Sequence, residues 1–106
     1  MDDFAEMLAS HTGFESDAGN ARKNWVTHHV RPAKSEEVFF NRPVYVAEDV
    51  KHSNRERQYN VLGRTNGDRL VSVIFTVRRG LIRIISARPM SRKERTTYAE
   101  APHEEP

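Results

Sequence analysis

Glu56, Arg64, Arg78 and Arg83 are the residues whose types could do chemistry together. They fall within one stretch, RERQYNVLGRTNGDRLVSVIFTVRRGLIRIISARPMSRKER, from Arg55 to Arg95. A carboxylate beside several guanidiniums is what phosphodiester cleavage without a metal requires: a group that moves a proton, and fixed positive donors where charge builds on the phosphorane. Arginine suits the second role because its planar fork stays charged. The plainer reading of the same residues is an exposed Glu/Arg ion-pair ladder, common on sheets and of little energetic weight.

Whether these side chains meet depends on strand register. Val61, Val71, Val73, Phe75, Val77, Ile82 and Ile84 suit a pleated, buried surface, and two turn signals, Asn66-Gly67 and Arg79-Gly80, divide them into a β-meander. A two-residue Arg79-Gly80 turn sets Thr76 opposite Arg83 and Val77 opposite Ile82, leaving Ser72, Ile74, Thr76, Arg78, Leu81, Arg83 and Ile85 on the other face. For the first hairpin, a two-residue loop would drive Gln58 and Asn60 into the core. A three-residue loop, Thr65-Asn66-Gly67 with Gly67 left-handed, instead pairs Tyr59 with Val73 and Val61 with Val71. Glu56 then stands opposite Thr76, on the face of Arg64, Arg78 and Arg83.

The segments around the meander supply helices. Asp17 is an N-cap for a helix over AGNARKNWVTHHV, with Ala18, Ala21 and Trp25 on one stripe and Pro32 as its limit. Ser35 caps a second short helix, EEVFFN, and VYVA reads as a strand behind Pro43. Phe14-Glu15 is a short edge strand. The spacing Ser91-Arg-Lys-Glu94 is that of a capping box, opening a C-terminal helix to about Glu100. Tyr98, one turn past Glu94, reads as core or as reaching the polar face. The expected architecture is α+β: two N-terminal helices and a C-terminal helix packed on a four-stranded antiparallel sheet. Residues 1–13 form an N-terminal extension, 14–100 a single domain and 101–106 a flexible acidic tail.

Composition narrows the function classes. The chain of 106 residues fits one domain, and its lack of cysteine excludes disulfides and thiolate metal sites. No apolar run reaches a membrane span and no signal peptide opens the sequence, so a cytoplasmic location is expected. The formal charge of +2 hides a segregation. Residues 1–17 hold five acidic side chains and the tail from Ala99 three more, which leaves seven acidic and all 17 basic residues between 18 and 98, a net +10. Such a body favours a polyanionic partner. His28 and His29 are about 100° apart on a helix, and His11, His52 and His103 are scattered, so no metal signature emerges and no cofactor is expected.

The meander and its helix, LGRTNGDRL through IRIISARPMSRKERTTY, together with FES-D-x-x-x-N-x-x-K-N and His52-Ser53-x-x-Glu56, closely resemble the BrnT family of bacterial type II toxins over roughly residues 14 to 98. The most specific part is IRIISAR followed by SRKER-x-x-Y. The chain departs from the usual family pattern at Ser16, Thr27 and Gln58. The resemblance implies a RelE-like fold, RNA cleavage, and neutralisation by a cognate DNA-binding antitoxin of the BrnA type, through which alone operator DNA is contacted. It also implies roles. Glu56 or His28 handles protons, Arg64 and Arg83 complete the catalytic set, and Arg78, Arg79, Arg88, Arg92 and Lys23 bind RNA. A non-catalytic RNA-binding module, or a domain that only docks an acidic antitoxin, is the competing expectation.

Overall fold

Five strands and three helices appear in the computed structural model, which describes residues 13–49, 51 and 56–100. In chain order they are β1 (Gly13–Ser16), α1 (Ala18–His28), α2 (Pro32–Glu37), β2 (Tyr45–Glu48), β3 (Tyr59–Arg64), β4 (Leu70–Arg78), β5 (Leu81–Pro89) and α3 (Arg92–Glu100). The sheet order is β1-β5-β4-β3-β2. The antiparallel meander matches the expectation. The sheet has five strands rather than four, because β1 joins β5 in parallel and sets Glu15 beside Arg83. The proposed extension and acidic tail lie outside the described residues, apart from Gly13.

Local signals place the helices. The Asp17 carboxylate accepts from the Asn20 amide at 3.0 Å and opens α1. His29 ends it in the left-handed region, φ 56°, with its amide on the Trp25 carbonyl. The buried residue of α1 is Asn24 rather than Trp25, which is 39% exposed under the Arg31 guanidinium. Nor does Ser35 cap α2. Proline is favoured at a helix's first position, and Pro32 takes it, so Ser35 lies inside the helix and its hydroxyl donates to the Pro32 carbonyl.

The two faces of the sheet have different tasks. Val61, Val71, Val73, Phe75, Ile82, Ile84 and Ala87 form the main core with Val30, Val38 and Phe39 from around α1 and α2. On the opposite face Leu62 packs with Met90 and Tyr98, so α3 covers one end of that side. The helices therefore divide between the two faces instead of sharing one. Tyr98 is buried there, and its hydroxyl donates to the Pro43 carbonyl at 2.6 Å. Of the two places the sequence offered it, core or polar face, the residue takes both: it is buried, on the arginine side of the sheet.

Register follows one hairpin and departs from the other. Arg79 and Gly80 both have positive φ, 54° and 77°, the signature of a two-residue type I′ turn, and Thr76 pairs with Arg83 as expected. The first hairpin closes through five residues, with Arg64 opposite Leu70 and Asp68, not Gly67, in the left-handed position at φ 65°. Tyr59 accordingly pairs with Phe75 and Val61 with Val73. A shift of two residues preserves which face each side chain occupies, so the core survives while every cross-strand neighbour changes. A bulge completes the frame. Phe75 pairs with Ile84 but Ile74 with Ser86, which leaves Ile85 as the extra residue. Beyond it the alternation reverses, turning Ala87 into the core and Arg88 onto the face of Ser72.

Candidate functional site

Along the face opposite α1 and α2, the arginines form three groups in sequence down β4. At the Arg78 end, its guanidinium meets Glu56 Oε1 at 2.9 Å. One row along, Arg83 is held by Glu15 at 2.8 Å and Asp17 at 3.5 Å. Between them the Thr76 hydroxyl donates to the Arg57 carbonyl at 2.8 Å, tying the segment that carries Glu56 to β4.

The second group is the most tightly bonded. Both terminal nitrogens of Arg88 reach Glu94, at 2.6 and 2.8 Å. The Ser91 amide donates to Glu94 Oε1 at 2.9 Å and the Glu94 amide donates to Ser91 Oγ at 3.1 Å, completing the expected capping box. Ser72 donates to Glu94 Oε2 at 3.2 Å and in turn accepts from Asn60 Nδ2 at 2.8 Å. Burial pushes the Glu94 carboxyl up, but the Arg88 guanidinium, the Ser91 amide and the Ser72 hydroxyl together hold it at about 2. Their counterpart raises Arg88 through its bond to Glu94.

Arg64 belongs to the third group, at the far end. Its Nε donates to the Tyr98 hydroxyl at 3.3 Å and its Nη1 meets Asp68 at 3.4 Å. Eight strand steps separate Leu70, its cross-strand neighbour, from Arg78, about 26 Å at the usual strand rise. Glu56, Arg78 and Arg83 are thus brought together, whereas Arg64 shares their face but not their neighbourhood. His28 lies on α1, across the sheet, and at the Leu70 end: Arg69 donates to the His28 and His29 carbonyls at 2.9 and 2.7 Å. Neither position lets it share a proton with a group beside Glu56. Lys23 is exposed on α1, Arg79 sits in the second turn and Arg92 is exposed at the start of α3.

Each arginine of this face, Arg64, Arg78, Arg83 and Arg88, meets a carboxylate. The ion-pair ladder weighed from the sequence is therefore present. Four partners were missed: Glu15 and Asp17, because β1 pairs in parallel from outside the meander; Asp68, because the first hairpin closes through a longer loop than expected; and Glu94, because its capping role concealed a second one. The Arg-Pro-x-Ser-x-x-Glu spacing after β5 was the available signal, since a guanidinium just before a capping box can reach its glutamate. Among the described residues no three His, Cys, Asp or Glu side chains cluster to hold a metal, and no helix is long and apolar enough to cross a membrane.

A small α+β domain with helices on both sides of a mixed sheet and a line of arginine–carboxylate pairs on one face is the class that the geometry defines. The family described as ribonuclease toxin, BrnT, of type II toxin–antitoxin system matches residues 17–94, and the chain belongs to that family. Its fold is similar to the crystal structure of the Brucella abortus ribonuclease toxin, BrnT, with a TM-score of 0.59, 20% sequence identity, and coverage of 76% of this chain and 99% of that one. No match is found among curated proteins.

Proposed function

We propose that this protein is the toxin of a type II toxin–antitoxin pair and an endoribonuclease that works without a metal. The observation that carries the reading is the Glu56–Arg78 pair one strand row from Arg83, in a chain of the BrnT family. Among the described residues Arg78 engages Glu56 at Oε1, and Oε2 is the atom that accepts the proton in the proposed step. In the proposed step a ribose 2′-oxygen attacks its own phosphorus while Glu56 takes the 2′ proton. The bond to the 5′ oxygen breaks, and that oxygen leaves with a proton from solvent. The products are a 2′,3′-cyclic phosphate and a 5′-hydroxyl, and Glu56 returns its proton to water.

Arg78 and Arg83 supply the charge that the phosphorane requires. For Arg83 this means exchanging Glu15 and Asp17 for phosphate oxygens; both carboxylates are partly exposed, and exposed pairs are weak. Arg79, Arg88, Arg92 and, further off, Arg64 extend the path for a single strand along β4. The cognate antitoxin, a DNA-binding protein of the BrnA type, would cover the same face with an acidic or amphipathic segment.

Arg83→Ala is the direct test. Its side chain is outside the core, so the variant should fold and lose cleavage by about 100-fold or more. Full activity in the folded variant would remove Arg83 from the site.

A further inference from the structure

A groove of about 510 Å³ opens on the same face, lined by Ala47, Glu48, Asp49, Gln58, Asn60, Ile74 and Arg88. Its volume is in the range of small-ligand sites. Ile74 lies two residues from Thr76, the partner of Arg83, so the groove begins about 7 Å along β4 from the proposed cleavage row. That displacement is on the scale of one extended nucleotide.

The hydrogen-bond directions in its wall are fixed by charge. Glu94 is an acceptor only, so Ser72 must donate to it, which leaves the Ser72 oxygen to accept from an N–H. Asn60 must therefore turn its amide nitrogen toward Ser72, where it also donates to the Val73 carbonyl at 3.3 Å. Both N–H groups are spent, and Oδ1 is the atom that Asn60 has left for a ligand. Arg88 is immobilised by Glu94 and contributes a flat guanidinium to a wall that also carries the apolar Ile74 and, on the far strand, Ala47.

We propose that this groove is a nucleobase subsite in which Asn60 Oδ1 selects a base carrying an exocyclic amino group, adenine, cytosine or guanine, over uracil. The proposal rests on the RNA-cleavage reading and adds its substrate preference. A fixed acceptor is satisfied by an amino N–H. Uracil can meet the same oxygen only through its single N3–H, which brings both flanking carbonyl oxygens up against Oδ1, acceptor beside acceptor. Ser72 is a positioning residue: it holds the asparagine in the orientation that discriminates.

The experiment uses short single-stranded RNAs in which each position carries each of the four bases, together with matching oligonucleotides blocked by 2′-O-methyl groups for binding. One position should disfavour uracil by about threefold or more, the weight of a hydrogen bond weakened by flanking acceptors. Asn60→Ala and Ser72→Ala should flatten that ratio toward one. Asn60→Asp, which loses the N–H groups that Ser72 and the Val73 carbonyl accept, should flatten it as well. Thermal unfolding of each variant separates loss of preference from loss of fold. Absence of cleavage with the base preference intact in binding would defeat the catalytic reading and leave the subsite standing. Cleavage with no preference against uracil, or a preference that survives Asn60→Ala, would overturn the subsite.

Discussion

Replacing Glu94 by glutamine removes one charge from the centre of the polar network while preserving shape. A carboxyl held at about 2 instead of the ordinary 4.5 stabilises the folded state by about 3 kcal/mol at neutral pH. Part of the capping geometry survives in glutamine, so the expected loss is about 2–3 kcal/mol, or roughly 10–20 °C in Tm for a domain of this size. The pH dependence follows from the direction of the shift. Because the folded carboxyl titrates lower than the unfolded one, its stabilisation is complete above pH 4.5 and fades as pH falls from 4.5 to about 2. Urea unfolding of both proteins between pH 2.5 and 7 should show two curves that converge in acid. A gap below about 0.5 kcal/mol at pH 7, or one that persists unchanged into acid, would refute the assignment of Glu94 as the hub of this network.

His28→Ala should leave RNA cleavage within about twofold of the parent, since α1 holds it across the sheet from Glu56; a loss comparable to that of an oxyanion donor in a folded variant would return it to the mechanism. Antitoxin and RNA should exclude one another. Titrating the purified complex with a non-cleavable RNA while following bound antitoxin tests this, and simultaneous saturation of both on one chain would mean that inhibition acts through conformation. Association should also slow steeply with added salt, because the body between residues 18 and 98 carries a net +10.

The sequence revealed those features that local chemistry determines. Asp17, the Arg79-Gly80 turn and the Ser91–Glu94 box each satisfy backbone groups with neighbours a few residues away, and all three form as read. Long-range pairing was legible only where periodicity reported it. The first hairpin has the expected faces but not the expected partners, because alternation has a period of two and cannot distinguish registers that differ by two. That slip placed Glu56 opposite Thr76 instead of beside Arg78.

The bulge at Ile85 was invisible for a related reason. Strict alternation from Ile82 and Ile84 would put Ser86 and Arg88 into the core. One inserted residue turns Arg88 out to meet Glu94. Trp25 and Asn24 show the limit of hydrophobicity as a guide: the tryptophan found a partner in Arg31 at the surface, and the asparagine took the buried position. The parallel β1–β5 pair, formed by residues almost 70 positions apart, left no local trace at all.

The central claim is that this face cleaves RNA through Glu56 and its neighbouring arginines. The measurement that tests it most directly is end-group analysis of a defined RNA incubated with the purified toxin in EDTA, beside Glu56→Gln. The account predicts fragments ending in a 2′,3′-cyclic phosphate and beginning with a 5′-hydroxyl, formed by the parent, with Glu56→Gln binding the RNA as tightly but leaving it intact. Cleavage that stops in EDTA, fragments with a 5′-phosphate, or full activity in the glutamine variant would contradict it.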